Sequence, residues 1–303
     1  RAQRHWLADV RLWAGLLVAA LVVAPNLWWN AQNDFISFRH TAEISQLDRD
    51  LFHPERLLEF IAAQFGVFGP VFMGLFLWKA FSPSSYREDR HRLMLLTALA
   101  MLGVISVQAL LTRAHPNWAA PAFVSATIFV SVLLVRENRV RLFAWAMAIN
   151  LVLLSVLYHY HPIANVLGIE LTRGKTPYYR VLGWRELGAE VSRVRADYPQ
   201  AVLLSNSRKH LAYLSYYAVP RDMHVAAWWP AGGIPHNHYE LVADITRSDA
   251  DEFVFVGEYG LEPAELAMFE QHEYLGERHV QVFPDMVLSV QLYHLRGFKG
   301  YTR

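Results

Sequence analysis

The sequence contains no cysteine, which excludes disulfide bonds and thiol catalysis. It also lacks a strong charge of either sign, because 28 Lys and Arg residues face 27 Asp and Glu residues and leave a net charge of +1. This balance gives no reason to expect nucleic acid as a partner. Long apolar runs are missing from the second half of the chain, whereas the first half consists largely of them.

The first half contains five apolar runs, each near the roughly 20 residues that a helix needs to cross the ~30 Å hydrocarbon core of a membrane. They cover residues 11–29, 57–78, 93–111, 119–135 and 142–158. From residue 160 onward, charged residues recur every few positions. We therefore predict an α-helical polytopic membrane bundle of about five spans over residues 1–159, followed by a small soluble domain over residues 160–303.

Basic residues in the connections predict the orientation, because an excess of Lys and Arg marks the cytoplasmic side. Most basic residues lie in alternate connections, which are expected on the same side of the membrane. These are the segment before the first run, the connection between the second and third runs, and the connection between the fourth and fifth runs. The residues are Arg1, Arg4, Arg11, Lys79, Arg87, Arg90, Arg92, Arg136, Arg139 and Arg141. The N-terminus of this chain is thus predicted to lie in the cytoplasm and the C-terminal domain in the periplasm, with the bundle integral to the inner membrane.

The tail has the pattern of a small α/β domain. Its predicted helices cover residues 181–198, 208–218 and 263–272, and its predicted strands cover residues 201–205, 252–257, 276–283 and 287–298. The last two strands alternate as an antiparallel pair would. Strands that alternate with helices predict a partly parallel, three-layer arrangement.

Two outer connections carry residues suited to binding a phosphate group. The first combines aromatics and amides with the pair Arg39 and His40. The second places Arg113, His115, Asn117 and Trp118 at the outer end of two apolar helices. Arginine suits bidentate binding of phosphate, and histidine adds a hydrogen bond or a charge near neutral pH.

Each of these predicted substrate-binding groups has a plainer alternative. The first connection could be an interfacial segment that only packs, and Asn117 could be the N-cap of the following helix. Tyr178 and Tyr179, just after the linker, could cover a pocket at the membrane or could be ordinary core aromatics.

Five short segments resemble the bacterial polytopic glycosyltransferases of family 39. This family is similar to the dolichyl-phosphate-mannose protein mannosyltransferases and to the aminoarabinose transferase that acts on lipid A. The segments are 25–30 (PNLWWN), 35–40 (FISFRH), 117–121 (NWAAP), 183–187 (GWREL) and 293–298 (YHLRGF). Their order along the chain extends the resemblance over nearly its whole length.

The resemblance implies a GT-C fold and a glycosyltransferase that moves a hexose or pentose from a polyprenyl-phosphate-linked donor. The acceptor would be a lipid, glycan or protein outside the cytoplasm, and membrane lipids would surround the enzyme. Family members place the catalytic carboxylate in a first large outer loop, which no segment here matches. We therefore expect the general base in an N-terminal part missing from this sequence, and no activity from this chain alone. Asp34 is the best substitute, and a turn residue after Asn33 is its alternative reading.

No metal or other cofactor is expected. His159 and His161, and likewise His236 and His238, have the i, i+2 spacing that places two imidazoles on one side of a strand. Zinc needs three or four ligands, and neither a cysteine nor a third spaced partner is apparent.

Two other classes of function compete with a transferase. One is a non-catalytic membrane receptor whose outer domain binds glycan or lipid. The other is a transporter, which would predict paired charges or broken helices in mid-membrane, and the apolar runs show neither clearly.

Overall fold

The structure is a computed structural model, and it describes residues 8–45, 51–229 and 235–301. Arg1 and Arg4, which contribute to the predicted orientation, lie outside the described residues. The chain divides into two compact units, Arg1–Ile163 and Ala164–Arg303.

The first unit is helical throughout its described part. Its helices are α1 (Val10–Gln32), α2 (Ile36–Ser45), α3 (Pro54–Val67), α4 (Pro70–Ala80), α5 (Asp89–Leu111), α6 (Ala122–Arg136), α7 (Val140–Tyr158) and α8 (Tyr160–Val166), which contains the boundary between the units. Among the described residues, α1, α5 and α7 are long and apolar enough to cross a membrane, and α3 and α4 together add a fourth span if they count as one. The predicted number of about five spans is not confirmed, since α6 has only 15 residues.

A sharp break divides the predicted span 57–78, so the prediction of one continuous helix there is wrong. The axes of α3 and α4 differ by 118°. Gly69 between them has φ +93°, which favours glycine, and Pro70 then begins α4 without an N–H donor. Asn150 of α7 donates to the carbonyl of Phe68 at 3.3 Å, which satisfies a backbone group exposed by the break. The expectation that the runs show no clear broken helix is corrected here as well.

The contacts of α3 and α4 lie at opposite ends of α5. At the N-terminal end of α5, Lys79 pairs with Glu137 at 2.7 Å and Arg136 pairs with Glu88 at 2.7 Å. At the C-terminal end of α5, the Arg56 guanidinium donates to the carbonyl of Thr112 at 2.5 Å. A 23-residue helix is about 34 Å long, so α3 and α4 together run from one end of α5 to the other. This arrangement fits a broken span, and it groups the connections as the basic residues predict. Which end faces the cytoplasm stays a prediction.

The second unit is an α/β fold around one five-stranded sheet. Its strands are β1 (Val202–Ser205), β2 (Val225–Ala227), β3 (Glu252–Gly257), β4 (Phe269–Phe283) and β5 (Met286–Phe298), and its helices are α9 (Trp184–Arg195), α10 (Arg208–Tyr217), α11 (His238–Val242) and α12 (Pro263–Leu266). The strand order is β2-β1-β3-β5-β4. Strands β2, β1 and β3 are parallel, whereas β5 and β4 are antiparallel, so the prediction of a partly parallel sheet with a terminal antiparallel pair is confirmed.

The predicted helix 263–272 is wrong beyond its first turn. A capping box between Glu262 and Glu265 starts α12, which ends at Leu266. From Phe269 the chain pairs with β5 instead, and the Phe269 ring is buried at 2% exposure. The three-residue strand β2 was not predicted, because three residues carry too little periodicity to detect.

Side chains of α9 and α10 cover one face of the sheet. Trp184 is 2% exposed and its indole stacks on Tyr213 at 4.4 Å. The other face buries Trp228, Phe253 and Phe255 beneath the short helices and connections, which form a thin third layer. Burial beside Trp184, together with the neighbouring Lys209 charge, lowers the pKa of His210 to about 4.

Candidate functional site

A buried asparagine organises the corner between α1 and α2. Asn30 is fully buried, its amide donates to the carbonyl of Asn26 at 3.0 Å, and its side-chain oxygen accepts from the N–H of Ser37 at 3.2 Å. Asp34 and Phe35 turn the chain with positive φ values of 53° and 55°. The first predicted outer connection is therefore a helical corner, and the signal for it is the amide-rich sequence before the aromatics.

The first predicted cation pair lies on α2. The Arg39 guanidinium donates to the carbonyl of Asp34 across the turn. His40 places Nδ1 3.9 Å from the carboxylate of Glu43. Both side chains are half-buried. Arg39 contacts the turn before α2, and His40 lies near a residue one turn further along α2.

The end of α2 contacts the end of α5 through polar groups that are not among the predicted site residues. The carbonyl of Ser45 accepts from Gln108 Nε2 at 3.0 Å and from the hydroxyl of buried Thr112. Gln108 thus forms a helix-to-helix hydrogen bond between α5 and α2. Arg39 lies six residues before Ser45, roughly 9 Å along the helix axis at 1.5 Å per residue. The structure thus brings α2 to the segment that begins with Arg113.

The second predicted cluster follows α5 directly. Arg113 is exposed, and its carbonyl accepts from Gln108 at 3.4 Å. Among the described residues, its guanidinium has neither a hydrogen-bond partner nor an ion-pair partner. The imidazole of His115 meets the indole of Trp118 edge to face at 5.3 Å. One exposed cation therefore lies beside a packed His–Trp pair.

Asn117 does not cap the following helix, so that alternative is wrong. Residues Pro116–Ala119 form a 3₁₀ turn, and the N-cap position of α6 is occupied by Pro121. Asn117 is exposed, and its carbonyl accepts from the N–H of Ala120 at 3.1 Å. Asn117 and Arg113 are both exposed in residues 113–118, the segment after α5 that we call the rim.

Asp34 has the geometry of a turn residue. It is exposed, has a positive φ, and uses its carbonyl to accept from Arg39. The turn reading of Asp34 is confirmed, and its role as a base stays a prediction.

Tyr178 and Tyr179 lie in the second unit. The Tyr179 ring has the guanidinium of Arg173 at 5.4 Å and that of Arg180 at 5.6 Å. Arg180 Nε donates to the Tyr179 hydroxyl at 3.0 Å, and this hydrogen bond lowers the pKa of the phenol. Tyr179 is therefore a cation-flanked surface aromatic rather than a core residue, and its relation to a membrane pocket stays a prediction.

The histidine pairs do not lie on strands. His159 and His161 belong to the segment where α7 ends and α8 begins, and His238 begins α11. No group of three or more potential His, Cys, Asp or Glu ligands occurs in residues 8–45, 51–229 and 235–301.

Comparison with known proteins points to glycosyl transfer. No family model and no solved structure matches the chain. The chain is similar to the lipid A galacturonosyltransferase RgtD of Rhizobium johnstonii, with 31% identity over 238 residues. The matched region covers 76% of this chain and 49% of the relative, so the chain spans about half the length of the curated relative it matches. Together with the long apolar helices, this similarity supports an integral membrane protein of the glycosyltransferase kind.

Proposed function

We propose that the chain is part of a GT-C-type glycosyltransferase, related to family 39, that moves a sugar from a polyprenyl-phosphate donor to an acceptor outside the cytoplasm. The observation that carries the proposal is the similarity of most of the chain to a transferase that acts on lipid A. This similarity favours a glycolipid acceptor over a protein, and it favours a transferase over a receptor or a transporter.

The rim at the end of α5 supplies the chemistry for holding a departing phosphate. Negative charge grows on the lipid phosphate as the bond to the sugar breaks, and a placed cation stabilises that charge. Arg113 suits this role because its guanidinium is exposed and has no partner among the described residues. His115, Asn117 and Trp118 would line the same site.

The remaining predicted residues have secondary roles in this proposal. Arg39 and His40 on α2 would bind the sugar or a second phosphate oxygen, and Tyr178 and Tyr179 would contact the acceptor. A carboxylate must deprotonate the acceptor hydroxyl, and Asp34 is the candidate within this chain. We infer no metal or other cofactor.

Donor binding tests the role of Arg113. We expect Arg113→Ala to weaken the binding of polyprenyl phosphate at least about tenfold, because a charge-assisted hydrogen bond contributes about 1.5–3 kcal/mol. The matched control is Arg90→Ala, since Arg90 is exposed in the first turn of α5 at its opposite end. Fluorescence titration in detergent measures both affinities, and equal affinities in the two folded variants would reject the role.

Cysteine labelling tests the proposed orientation, and the absence of native cysteine makes it clean. A membrane-impermeant thiol reagent added outside should label Glu258→Cys in the second unit but not Ser84→Cys between α4 and α5. Both positions are exposed. The reverse labelling would move the site to the cytoplasm.

A further inference from the structure

An open cleft of about 680 Å³ lies entirely within the second unit. Its lining includes Arg173, Lys175, Thr176, Tyr179 and Asp285. One wall is the loop that precedes α9, and the other is the turn between β4 and β5.

The two walls are fixed to each other. The backbone N–H of Arg173 lies 2.9 Å and 3.2 Å from the two carboxylate oxygens of Asp285. Gly183 ends the loop with φ +81°, and a side chain there would collide with Val282 and Leu288 of the hairpin. Because the glycine permits close packing, the loop contacts the hairpin at two places, Arg173 and Gly183.

The charge of the cleft favours an anion. Arg173 and Lys175 are exposed cations, and Asp285 is the single carboxylate among the lining residues. That carboxylate accepts from the backbone of Arg173, and the two cations outweigh its single charge. The Arg173 guanidinium lies over the Tyr179 ring, which restricts its position.

A buried hydroxyl supplies an independent sign of a ligand. Thr176 is 3% exposed, and its hydroxyl has no hydrogen-bond partner among the described residues. A buried polar group without a partner costs free energy, so such groups in native structures call for an explanation. A ligand oxygen in the cleft would provide the missing partner.

We propose that this cleft binds a phosphomonoester group. Such a group carries up to two negative charges and three strong acceptor oxygens, which match two cations and one unsatisfied hydroxyl. The group could belong to a lipid headgroup or to a soluble phosphate. The proposal goes beyond the transferase function, because it requires no sugar transfer and no residue of the first unit.

Calorimetric titration of the full chain in detergent tests the cleft with inorganic phosphate and glucose 1-phosphate. Titration of nanodiscs with and without phosphatidic acid tests the lipid source. Arg173→Gln should weaken phosphate binding about tenfold or more, whereas the control Arg193→Gln should not, since Arg193 is an exposed arginine of α9 paired with Glu190.

Thr176→Val separates binding from packing. We expect it to weaken phosphate binding several-fold while the melting temperature stays equal or rises, because an unsatisfied hydroxyl is removed. Thr176→Ser should restore the binding. Loss of soluble-probe binding in these variants supports a free phosphate, and loss confined to phosphatidic acid nanodiscs supports a lipid headgroup.

Two results would overturn the proposal. One is a folded wild-type chain that binds none of these probes saturably at millimolar concentration. The other is binding that Arg173→Gln and Thr176→Val affect no more than Arg193→Gln does. Both results concern Arg173 and Thr176, whereas sugar transfer and its loss in Arg113→Ala test the transferase proposal, so failure of the cleft and failure of the transferase proposal are distinguishable.

Discussion

The two units of this chain differ in how much of each apolar element they bury. In the second unit, strands β1 and β3 are almost completely buried and apolar side chains form the core. In the first unit, none of the apolar window of α1 and only 6% of that of α7 is buried, whereas α3 to α6 bury an apolar core that includes Phe76 and Phe129. Polar side chains there complete the backbone hydrogen bonds at corners and breaks. The first unit therefore leaves whole apolar helices exposed around a smaller set of buried ones, whereas the second unit buries its central strands almost completely.

Replacing a tryptophan by alanine should change the free energy of unfolding very differently in the two units, and this is the largest effect that we expect. Trp184→Ala removes a 2% exposed indole stacked on Tyr213, and we expect it to destabilise the second unit by about 3–5 kcal/mol. Trp145→Ala removes an indole that is 69% exposed on α7, and we expect a change of less than about 1 kcal/mol. Chemical unfolding of the full chain in detergent measures both. Equal losses would contradict the comparison.

The break between α3 and α4 should be the most sensitive backbone position of the first unit. Gly69→Ala introduces a Cβ at φ +93° that collides with the Asn150 amide, and we expect a loss of about 2–4 kcal/mol. The matched control is Gly74→Ala, because a Cβ at Gly74 of α4 meets nothing within 4 Å.

Thermal denaturation in detergent should show a lower melting temperature for Gly69→Ala and an equal or higher one for Gly74→Ala. A straight helix across residues 57–78 would instead make both substitutions stabilising. That outcome would remove the break from the description of the first unit.

The second unit should lose stability on acidification because of His210. Burial lowers its pKa from 6.5 to about 4, so the folded state favours the neutral imidazole. The stabilisation is fully present above pH 6.5 and is lost as pH falls toward 4, by about 3 kcal/mol at most.

Unfolding of the second unit, followed by tryptophan fluorescence from pH 7 to pH 4, checks this expectation. His210→Gln should flatten the profile, whereas His272→Gln at an exposed position of β4 should leave it unchanged. A wild-type profile that is already flat would contradict the buried, neutral state of His210.

Sequence patterns predicted what depends on local periodicity. Strand β3 was predicted with its observed bounds. The alternation of apolar and polar residues in β4 and β5 predicted their pairing, because successive side chains of a strand point to opposite faces of the sheet. Helices α9 and α10 were predicted within three residues at each end. Apolar length alone predicted helices in the first unit.

What the sequence could not predict depends on backbone geometry and distant contacts. Predicting the break at Gly69 requires the sign of its backbone φ angle, although the Gly-Pro pair is a usable signal for a break. The contact of Ser45 with Thr112 joins residues 67 positions apart. The cleft unites Arg173 with Asp285 across 112 positions, and no spacing rule relates them.

Sugar transfer in proteoliposomes tests the central claim most directly. The full-length protein that carries this sequence would be supplied with a radiolabelled polyprenyl-phosphate sugar and a lipid A acceptor. The account predicts label in the glycolipid fraction, reduced at least about tenfold by Arg113→Ala and unchanged by Arg90→Ala. A folded protein that binds the donor but transfers no sugar to any acceptor would contradict the account and favour a receptor.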